Sequence, residues 1–404
     1  MRDYLAKWKG FLTDTVWSVS ALVLMNGVSQ FIVYPVFSGH MGDEAYGNFL
    51  YLISFINIVA VAVGVSANYV RLKTSVADRT KNGDYNIVLL GAMVLGIPMT
   101  ALVAHFGGVP MNATEIILFW LLNCATMFRY YSDVAFRLEL NYRKYFCYYL
   151  FVSLGYLIGI LLFLVTRYWA LTLLVGEMSG VLYAGVKSGL YRDKPLQTSV
   201  QFRPVLIAIF YLTLSQLLVN VASNSDRTIL KWLISGTAVT IYYLASLGGK
   251  MSSLVVTPLN SVIIGYLARY KGGLTKKMVF QICCALLAAV VAGTFALAGA
   301  SYIFIRLIYP QNLANVAPYL LTATFPQLIF LASSVLNTVL LRFSKEQYQI
   351  VLNIVFLVVL GLLTVPAAMA WGIEGYIWGY LLATVIRFLT VLFFALNACQ
   401  NADA

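Results

Sequence analysis

Long runs of mostly apolar residues recur along this 404-residue chain and constrain its fold more than any other feature. Each run has about 20 residues, the length that an α-helix needs to cross a bilayer. The runs lack the alternation of polar and apolar residues that is typical of strands in a membrane β-barrel. Only 10% of the residues are charged, against about 25% in soluble domains. The sequence therefore predicts an all-α integral membrane protein.

Twelve spans can be marked between the polar interruptions. They lie near residues 13–35, 44–67, 85–106, 114–138, 145–166, 169–190, 205–224, 237–266, 278–304, 316–341, 347–370 and 374–398. The first follows MRDYLAKWKG, but it is longer than the apolar core of a signal peptide and has no A-x-A cleavage site near its end. We expect it to be a retained span.

Most of the 27 lysines and arginines fall in every second interruption, on the side of the amino terminus. By the positive-inside rule, this bias places both termini in the cytoplasm. It also accounts for most of the net charge of +12 as a topology signal and an attraction to anionic membrane lipid, so no nucleic-acid partner is expected. Three cations fall within spans instead: Arg129, Lys250 and Arg387.

A weak internal repeat relates the two halves of the chain. A shift of 194 residues aligns NGVSQ, which begins at Asn26, with NVASN, which begins at Asn220. Six spans separate the copies, and an even number gives both halves the same orientation. We therefore predict two six-helix lobes, residues 1–195 and 196–404, related by an axis along the membrane normal around a central cavity. The polar segment 191–204 is the predicted linker.

Polar side chains recur on the first helix of each predicted lobe. They include Asn26 and Gln30 in one copy, and Asn220 and Asn224 in the other. Two interpretations are balanced: these amides line a water-filled cavity, or they bind neighbouring helices by hydrogen bonds, as polar residues in membrane bundles often do.

Motifs for catalysis are absent from the sequence. GGKM lacks the other residues of a phosphate-binding loop, and no metalloprotease, nucleophile-elbow or dinucleotide motif occurs. The two histidines have no paired ligands, and the five cysteines lack zinc-site spacing. We expect neither an enzyme nor a metal site, and no cofactor.

Lys250 lies deep within a predicted span, where a cation costs about 2.5–3.5 kcal/mol. Its stem reaches neither interface easily, so a cavity-facing, substrate-binding lysine is favoured over one that snorkels or pairs with an acid. Asp226 and Arg227 end the preceding span. They form either an interfacial salt bridge or a contact to a lipid head group.

The remaining intramembrane charges have two interpretations each. Arg129 and Asp133 are four residues apart, a spacing that permits a pair within one helix. Glu177 is either a site for proton or sodium coupling or the counter-ion of a cation such as Arg129. Arg387, on the last span, is either functional or paired.

Two segments carry a resemblance to a known family. FLTDTVWSVSALVLMNGVSQFIVYPVFSGHMGDEAYGNF resembles the amino-terminal signature of bacterial polysaccharide flippases of the multidrug/oligosaccharidyl-lipid/polysaccharide exporter superfamily, whose first span precedes L-G-x-x-x-Y-G. Here Met41 replaces the leucine, while Gly42, Tyr46 and Gly47 match. SDRTILKWLISGTAVTIYYLAS is similar to the family's D-R, then Gly, then Y-x-x-A, and WGIEGYIWGYLLA is similar to its last G-I-x-G. Many relatives have a cation soon after Y-x-x-A, whereas SLGG intervenes here.

The resemblance implies a flippase of the bacterial inner membrane that moves an oligosaccharide linked to undecaprenyl pyrophosphate, such as an O-antigen repeat unit, to the periplasmic leaflet by alternating access. It implies that Lys250 and Arg227 bind the diphosphate while the amides contact the sugars, with a glycan polymerase and a chain-length regulator as partners. Coupling to H⁺ or Na⁺ is an open question. The alternatives are a cation-coupled multidrug exporter of the same fold and, third, a polytopic glycan polymerase or ligase.

Overall fold

The computed structural model describes residues 2–74, 80–191, 194–254, 274–341 and 347–400, and isolated positions between these ranges. Every regular element in these ranges is helical, as predicted for an all-α chain. A π-helical turn, Ser29–Val33, joins the first two helices. The α-helices, numbered in chain order, are α1 (Arg2–Val28), α2 (Tyr34–His40), α3 (Asp43–Thr74), α4 (Asn82–Phe106), α5 (Ala113–Ser132), α6 (Val134–Leu138), α7 (Tyr142–Thr166), α8 (Trp169–Lys187), α9 (Phe202–Leu233), α10 (Gly236–Met251), α11 (Lys276–Ile308), α12 (Leu313–Val316), α13 (Leu320–Leu341) and α14 (Gln347–Gln400).

Within the described ranges, nine helical stretches are long and apolar enough to cross a membrane. They account for ten of the twelve predicted spans, because the last two predicted spans share one stretch, Val351–Cys399. The predicted span 114–138 corresponds to α5 and α6. The predicted span 237–266 begins as α10, and much of its second half lies outside the described residues, as do residues 192–193 of the predicted linker. The chain is therefore a multi-pass membrane protein.

The longest helix, α14, is two helices joined by a sharp break. Trp371 and Gly372 have non-helical backbone angles, and Gly372 has φ +61°, in the left-handed region that glycine adopts without strain. A Cβ on Gly375 would lie 1.8 Å from the carbonyl oxygen of Ala367, so the two helices cross in near contact. The G-I-x-G motif thus forms a tight antiparallel hairpin, and the break falls between the predicted spans 347–370 and 374–398.

Packing divides the chain into two compact units. Unit 1 comprises Met1–Gly42 and Tyr51–Asn224, and unit 2 comprises Asp43–Leu50 and Ser225–Ala404. Both α3 and α9 therefore contribute residues to both units. The lobes 1–195 and 196–404 are defined by the repeat rather than by packing, and they remain a prediction.

In unit 1, the described part of the predicted linker is bound to the start of α4. The carboxylate of Asp84 accepts hydrogen bonds from the Ser199 backbone N–H at 2.7 Å and from its hydroxyl at 2.6 Å. Asn86 Nδ2 donates to the carbonyl of Pro195 at 2.9 Å. Because Asp84 is fully buried, these bonds fix the segment that leads into α9.

In unit 2, the start of α3 caps the start of α10. The Glu44 carboxylate accepts from the backbone N–H groups of Gly236 at 3.0 Å and Thr237 at 2.8 Å, and from Lys231 Nζ at 2.9 Å. A carboxylate is well placed there because a helix begins with free N–H groups and a partial positive charge. Gly47 lies so close that a Cβ would be 1.8 Å from the Gly236 carbonyl oxygen. The glycines of the two sequence signatures therefore contact each other.

Candidate functional site

The candidate site of unit 2 is built around an ion pair between α9 and α10. Lys250 Nζ donates to Asp226 Oδ2. The Asp226 side chain is 6% exposed and that of Lys250 is 22% exposed, so the lysine remains open to its surroundings. The sequence favoured a cavity-facing lysine over one paired with an acid, whereas the structure pairs it within unit 2. Its role in substrate binding stays a prediction.

Arg227, the next residue, is buried but incompletely bonded. Its guanidinium lies 5.1 Å from the ring centroid of Tyr243, a cation–π distance. Its Nε and Nη1 atoms are buried without a hydrogen-bond partner, and so is Asp226 Oδ1. Buried polar groups normally have partners because an unpaired one is costly. The two guanidinium nitrogens are therefore available to donate hydrogen bonds to the oxygens of a ligand.

Tyrosine and glutamine side chains pack next to the ion pair. Lys250 Nζ lies 6.0 Å from the ring centroid of Tyr242. Gln327 Nε2 donates to the Tyr242 hydroxyl at 3.3 Å, and the Tyr380 hydroxyl donates to Gln327 Oε1 at 3.4 Å. Gln327 is buried on α13, and it therefore ties α10 to the second half of α14. Sequence analysis missed Gln327, although an amide directly after Pro326 in an apolar run was a signal.

Arg387 lies elsewhere in unit 2, between aromatic rings. Its guanidinium is 4.3 Å from the ring centroid of Phe330 and 4.8 Å from that of Phe356. Over the ranges that the structure describes, it forms no ion pair. Among the described residues, Arg387 therefore has no carboxylate partner, and its guanidinium contacts aromatic rings rather than the Lys250–Asp226 pair.

Unit 1 holds a second charge cluster, centred on Arg129 of α5 and Glu177 of α8. Arg129 Nε donates to Glu177 Oε2, and the hydroxyl of Tyr156 donates to Glu177 Oε1 at 2.7 Å. The side chains of the pair are 4% and 6% exposed. The Arg129 guanidinium also stacks on the Tyr130 ring, 3.8 Å from its centroid. This cluster is closed off by its own side chains.

Asp133 does not pair with Arg129, although the spacing of the two residues permitted it. Asp133 directly follows the last residue of α5. It accepts hydrogen bonds from Asn68 Nδ2 at 2.5 Å and from the Tyr149 hydroxyl at 2.8 Å. Asn68 Oδ1 in turn accepts from Arg137 at 3.1 Å. The acid is thus held by side chains of two other helices, α3 and α7.

The four predicted amides all lie in unit 1 and are half-buried. Asn26 Nδ2 donates to the Leu22 carbonyl at 2.8 Å, and Asn224 Nδ2 donates to the Asn220 carbonyl at 2.9 Å, each four residues back in its own helix. Asn220 Nδ2 is buried without a partner. Asn26 and Asn224 therefore bond their own helices rather than neighbouring ones.

Metal-binding side chains are not clustered in the ranges that the structure describes. No three His, Cys, Asp or Glu residues come together there as a metal site would require. The chemistry that the two clusters offer is electrostatic: unit 2 presents a partly open cationic group, and unit 1 a closed ion pair.

Comparison with known proteins gives matches only at the level of structure. No family model matches the sequence, and no curated protein matches it. An inward closed conformation of the lipid II flippase MurJ superposes with a TM-score of 0.72 at 13% identity, covering 97% of this chain and 90% of that one. An inward-facing multidrug resistance MATE family transporter of the MOP superfamily superposes at 0.63 and 13%, covering 94% and 98%. An outward-facing structure of such a transporter gives 0.59 and 15%, covering 96% of each chain.

The chain has the fold of these transporters. The predicted fold class, an all-α membrane protein of two lobes, is confirmed by this likeness and by the helices described above. At these identities the likeness concerns the fold and does not identify a substrate.

Proposed function

We propose that this protein is a flippase that moves an undecaprenyl-pyrophosphate-linked oligosaccharide across the bacterial inner membrane by alternating access. The observation that carries the proposal is the partly open cationic group of Lys250 and Arg227 in unit 2, with unpaired guanidinium nitrogens. Structures that share this fold include a lipid II flippase and a MATE family transporter, which supports a transport function.

The diphosphate is the part of such a substrate that cannot cross hydrocarbon unaided. Arginine and lysine can replace its hydration, because hydrogen bonds between charged groups are about twice as strong as neutral ones. In this proposal the amides Asn26, Gln30, Asn220 and Asn224 contact the sugars, while the polyprenyl tail stays in lipid. Both termini are in the cytoplasm, and a glycan polymerase and a chain-length regulator act with the flippase.

A deletion strain complemented with charge-removing variants tests the proposal. Lys250→Ala and Arg227→Ala should reach the membrane normally and fail to restore full-length surface polysaccharide. Lys144→Ala is the matched control, because this exposed lysine pairs only with the exposed Glu139 and its loss should change nothing. Wild-type levels of polysaccharide with Lys250→Ala would remove the role assigned to Lys250.

A cation-coupled multidrug exporter is the second candidate, favoured by the MATE-like fold and by the buried acids Glu177 and Asp133. Such a protein would restore drug resistance to a strain that lacks its pumps, without any effect on glycan. Coupling to H⁺ or Na⁺ at Glu177 is a separate proposal. It requires that Glu177→Gln change the ion dependence of transport in vesicles, and an unchanged dependence would remove it.

A further inference from the structure

The unit 2 site carries its own anion. Lys250 and Arg227 supply two positive charges, and Asp226 supplies one negative charge that is already bound to Lys250. The empty site therefore has a net charge of only +1 among these three residues. Any anionic head group must displace a carboxylate that is part of the protein before it reaches the lysine.

We propose that Asp226 is a built-in competitor that makes the site accept a doubly charged diphosphate and reject singly charged phospholipid head groups. This inference rests on the proposed function and adds a specificity-determining residue to it. Anionic phospholipids far outnumber any lipid-linked sugar in a membrane, so a bare cationic site would be occupied by them. Specific sites commonly include an element that disfavours the wrong ligand.

A single negative charge gains little by displacing Asp226. It offers Lys250 the same charge that the carboxylate already supplies, and the carboxylate is held in place at a high effective concentration. The exchange would also leave Asp226 buried without its cation, which is strongly unfavourable. A monoanion is therefore a poor substitute.

A diester diphosphate brings two charges and several oxygens. One phosphate can replace Asp226 at Lys250, while the other accepts hydrogen bonds from Arg227, whose Nε and Nη1 now have no partner. The second contact has no counterpart with a monoanion. Lys250 and Arg227 lie close enough to interact electrostatically, so one diphosphate can contact both.

The displaced carboxylate needs a hydrogen-bond donor, and Tyr242 lies beside the ion pair. Lys250 Nζ, which binds Asp226, is 6.0 Å from the Tyr242 ring centroid. The Tyr242 hydroxyl accepts from Gln327 Nε2, which leaves its own proton free to be donated. Tyr242 is therefore a positioning residue that can hold Asp226 after the exchange.

The test measures head-group preference in the purified protein. The protein is placed in phosphatidylcholine nanodiscs and titrated with either a polyprenyl-diphosphate-N-acetylglucosamine or phosphatidylglycerol, and bound lipid is counted by native mass spectrometry. The wild type should prefer the diphosphate. Asp226→Asn should lower that preference about tenfold or more, mainly by gaining affinity for phosphatidylglycerol. Asp226→Glu should keep the preference.

Asp84→Asn is the matched control, because Asp84 is a fully buried acid of unit 1 that binds two backbone N–H groups and the Ser199 hydroxyl rather than a lysine side chain. Its preference should equal that of the wild type. A folded Asp226→Asn protein with the wild-type preference overturns the inference and leaves the proposed function standing. A wild type without any preference overturns the proposed function, and the inference with it.

If the Asp226→Asn variant does not fold, the Tyr242→Phe variant tests whether the diphosphate displaces Asp226. Loss of the hydroxyl should weaken diphosphate binding several-fold and leave phosphatidylglycerol binding unchanged, since only the diphosphate displaces Asp226. A merely structural role would weaken both. Equal diphosphate affinities for wild type and Tyr242→Phe would overturn the exchange.

Discussion

Each unit of the molecule contains a buried ion pair, and the two pairs differ in how completely they are enclosed. In the Arg129–Glu177 pair of unit 1, both side chains are almost fully buried, and the Tyr156 hydroxyl donates a hydrogen bond to the second carboxylate oxygen. The Lys250–Asp226 pair of unit 2 has a partly exposed lysine, an unpaired carboxylate oxygen and a neighbouring arginine with two unpaired nitrogens. A closed pair contributes to folding, whereas an incomplete one is available to a ligand.

The contrast shows that intramembrane charge alone does not identify a binding site. Arg129 and Lys250 both lie within predicted spans, where a cation is expensive. Both clusters also contain buried nitrogens without a partner, Arg129 Nη1 in unit 1 and Arg227 Nε and Nη1 in unit 2. What separates the clusters is access, since the Lys250 side chain is 22% exposed and that of Arg129 is 4% exposed. Asp226 also keeps an unpaired oxygen, whereas both Glu177 oxygens are bonded.

The largest effect should come from opening the closed pair. Glu177→Ala leaves Arg129 buried without its counter-ion, which should cost about 3–5 kcal/mol of folding stability. The thermal unfolding temperature in detergent should fall markedly. Replacing both residues, Arg129→Met with Glu177→Met, should recover much of the loss, because an apolar pair of similar size is tolerated. A Glu177→Ala protein as stable as the wild type would contradict the view that the Arg129–Glu177 pair stabilises the fold.

Removal of Lys250 should reduce transport strongly and folding stability only moderately. Lys250→Gln keeps a hydrogen-bond donor beside Asp226 and should cost about 1–3 kcal/mol, less than Glu177→Ala, which leaves the charge of Arg129 without any counter-ion. Transport of the lipid-linked glycan in proteoliposomes should nevertheless drop at least tenfold. If stability fell as far as in the unit 1 variant while transport by the surviving folded protein were normal, the distinction between the two pairs would fail.

The smallest effects should come from the polar side chains beside each pair. Tyr149→Phe removes one hydrogen bond to Asp133 in unit 1, and Gln327→Leu removes two weak ones in unit 2. Each should cost about 1 kcal/mol of stability. Only Gln327→Leu should also weaken diphosphate binding, since Gln327 orients Tyr242. Equal effects of both variants on binding would count against a special role for the unit 2 network.

Hydropathy and motif spacing were sufficient to predict the fold. Apolar runs predicted the spans and placed a boundary between residues 370 and 374, where the structure has its break at Trp371 and Gly372. These features are local, so they can be recognised in the sequence.

The partners of the buried charges could be given from the sequence only as alternatives. Glu177 lies 48 residues from Arg129, and Asp226 lies 24 residues from Lys250. Whether two such side chains meet depends on how helices rotate and pack, which hydropathy does not specify. Of the two partners offered for Arg129, the structure forms the pair with Glu177, while Asp133 is bonded to side chains of two other helices.

The hairpin at Gly372 also bears on how the protein is made. With a break of two residues and a near contact at Gly375, the last two spans have almost no connecting loop. Such a pair is suited to enter the bilayer together as one helical hairpin during synthesis, rather than as two helices in succession. Epitope tags or protease sites inserted at this turn would force the helices apart, so reporters of topology belong at other loops of the chain.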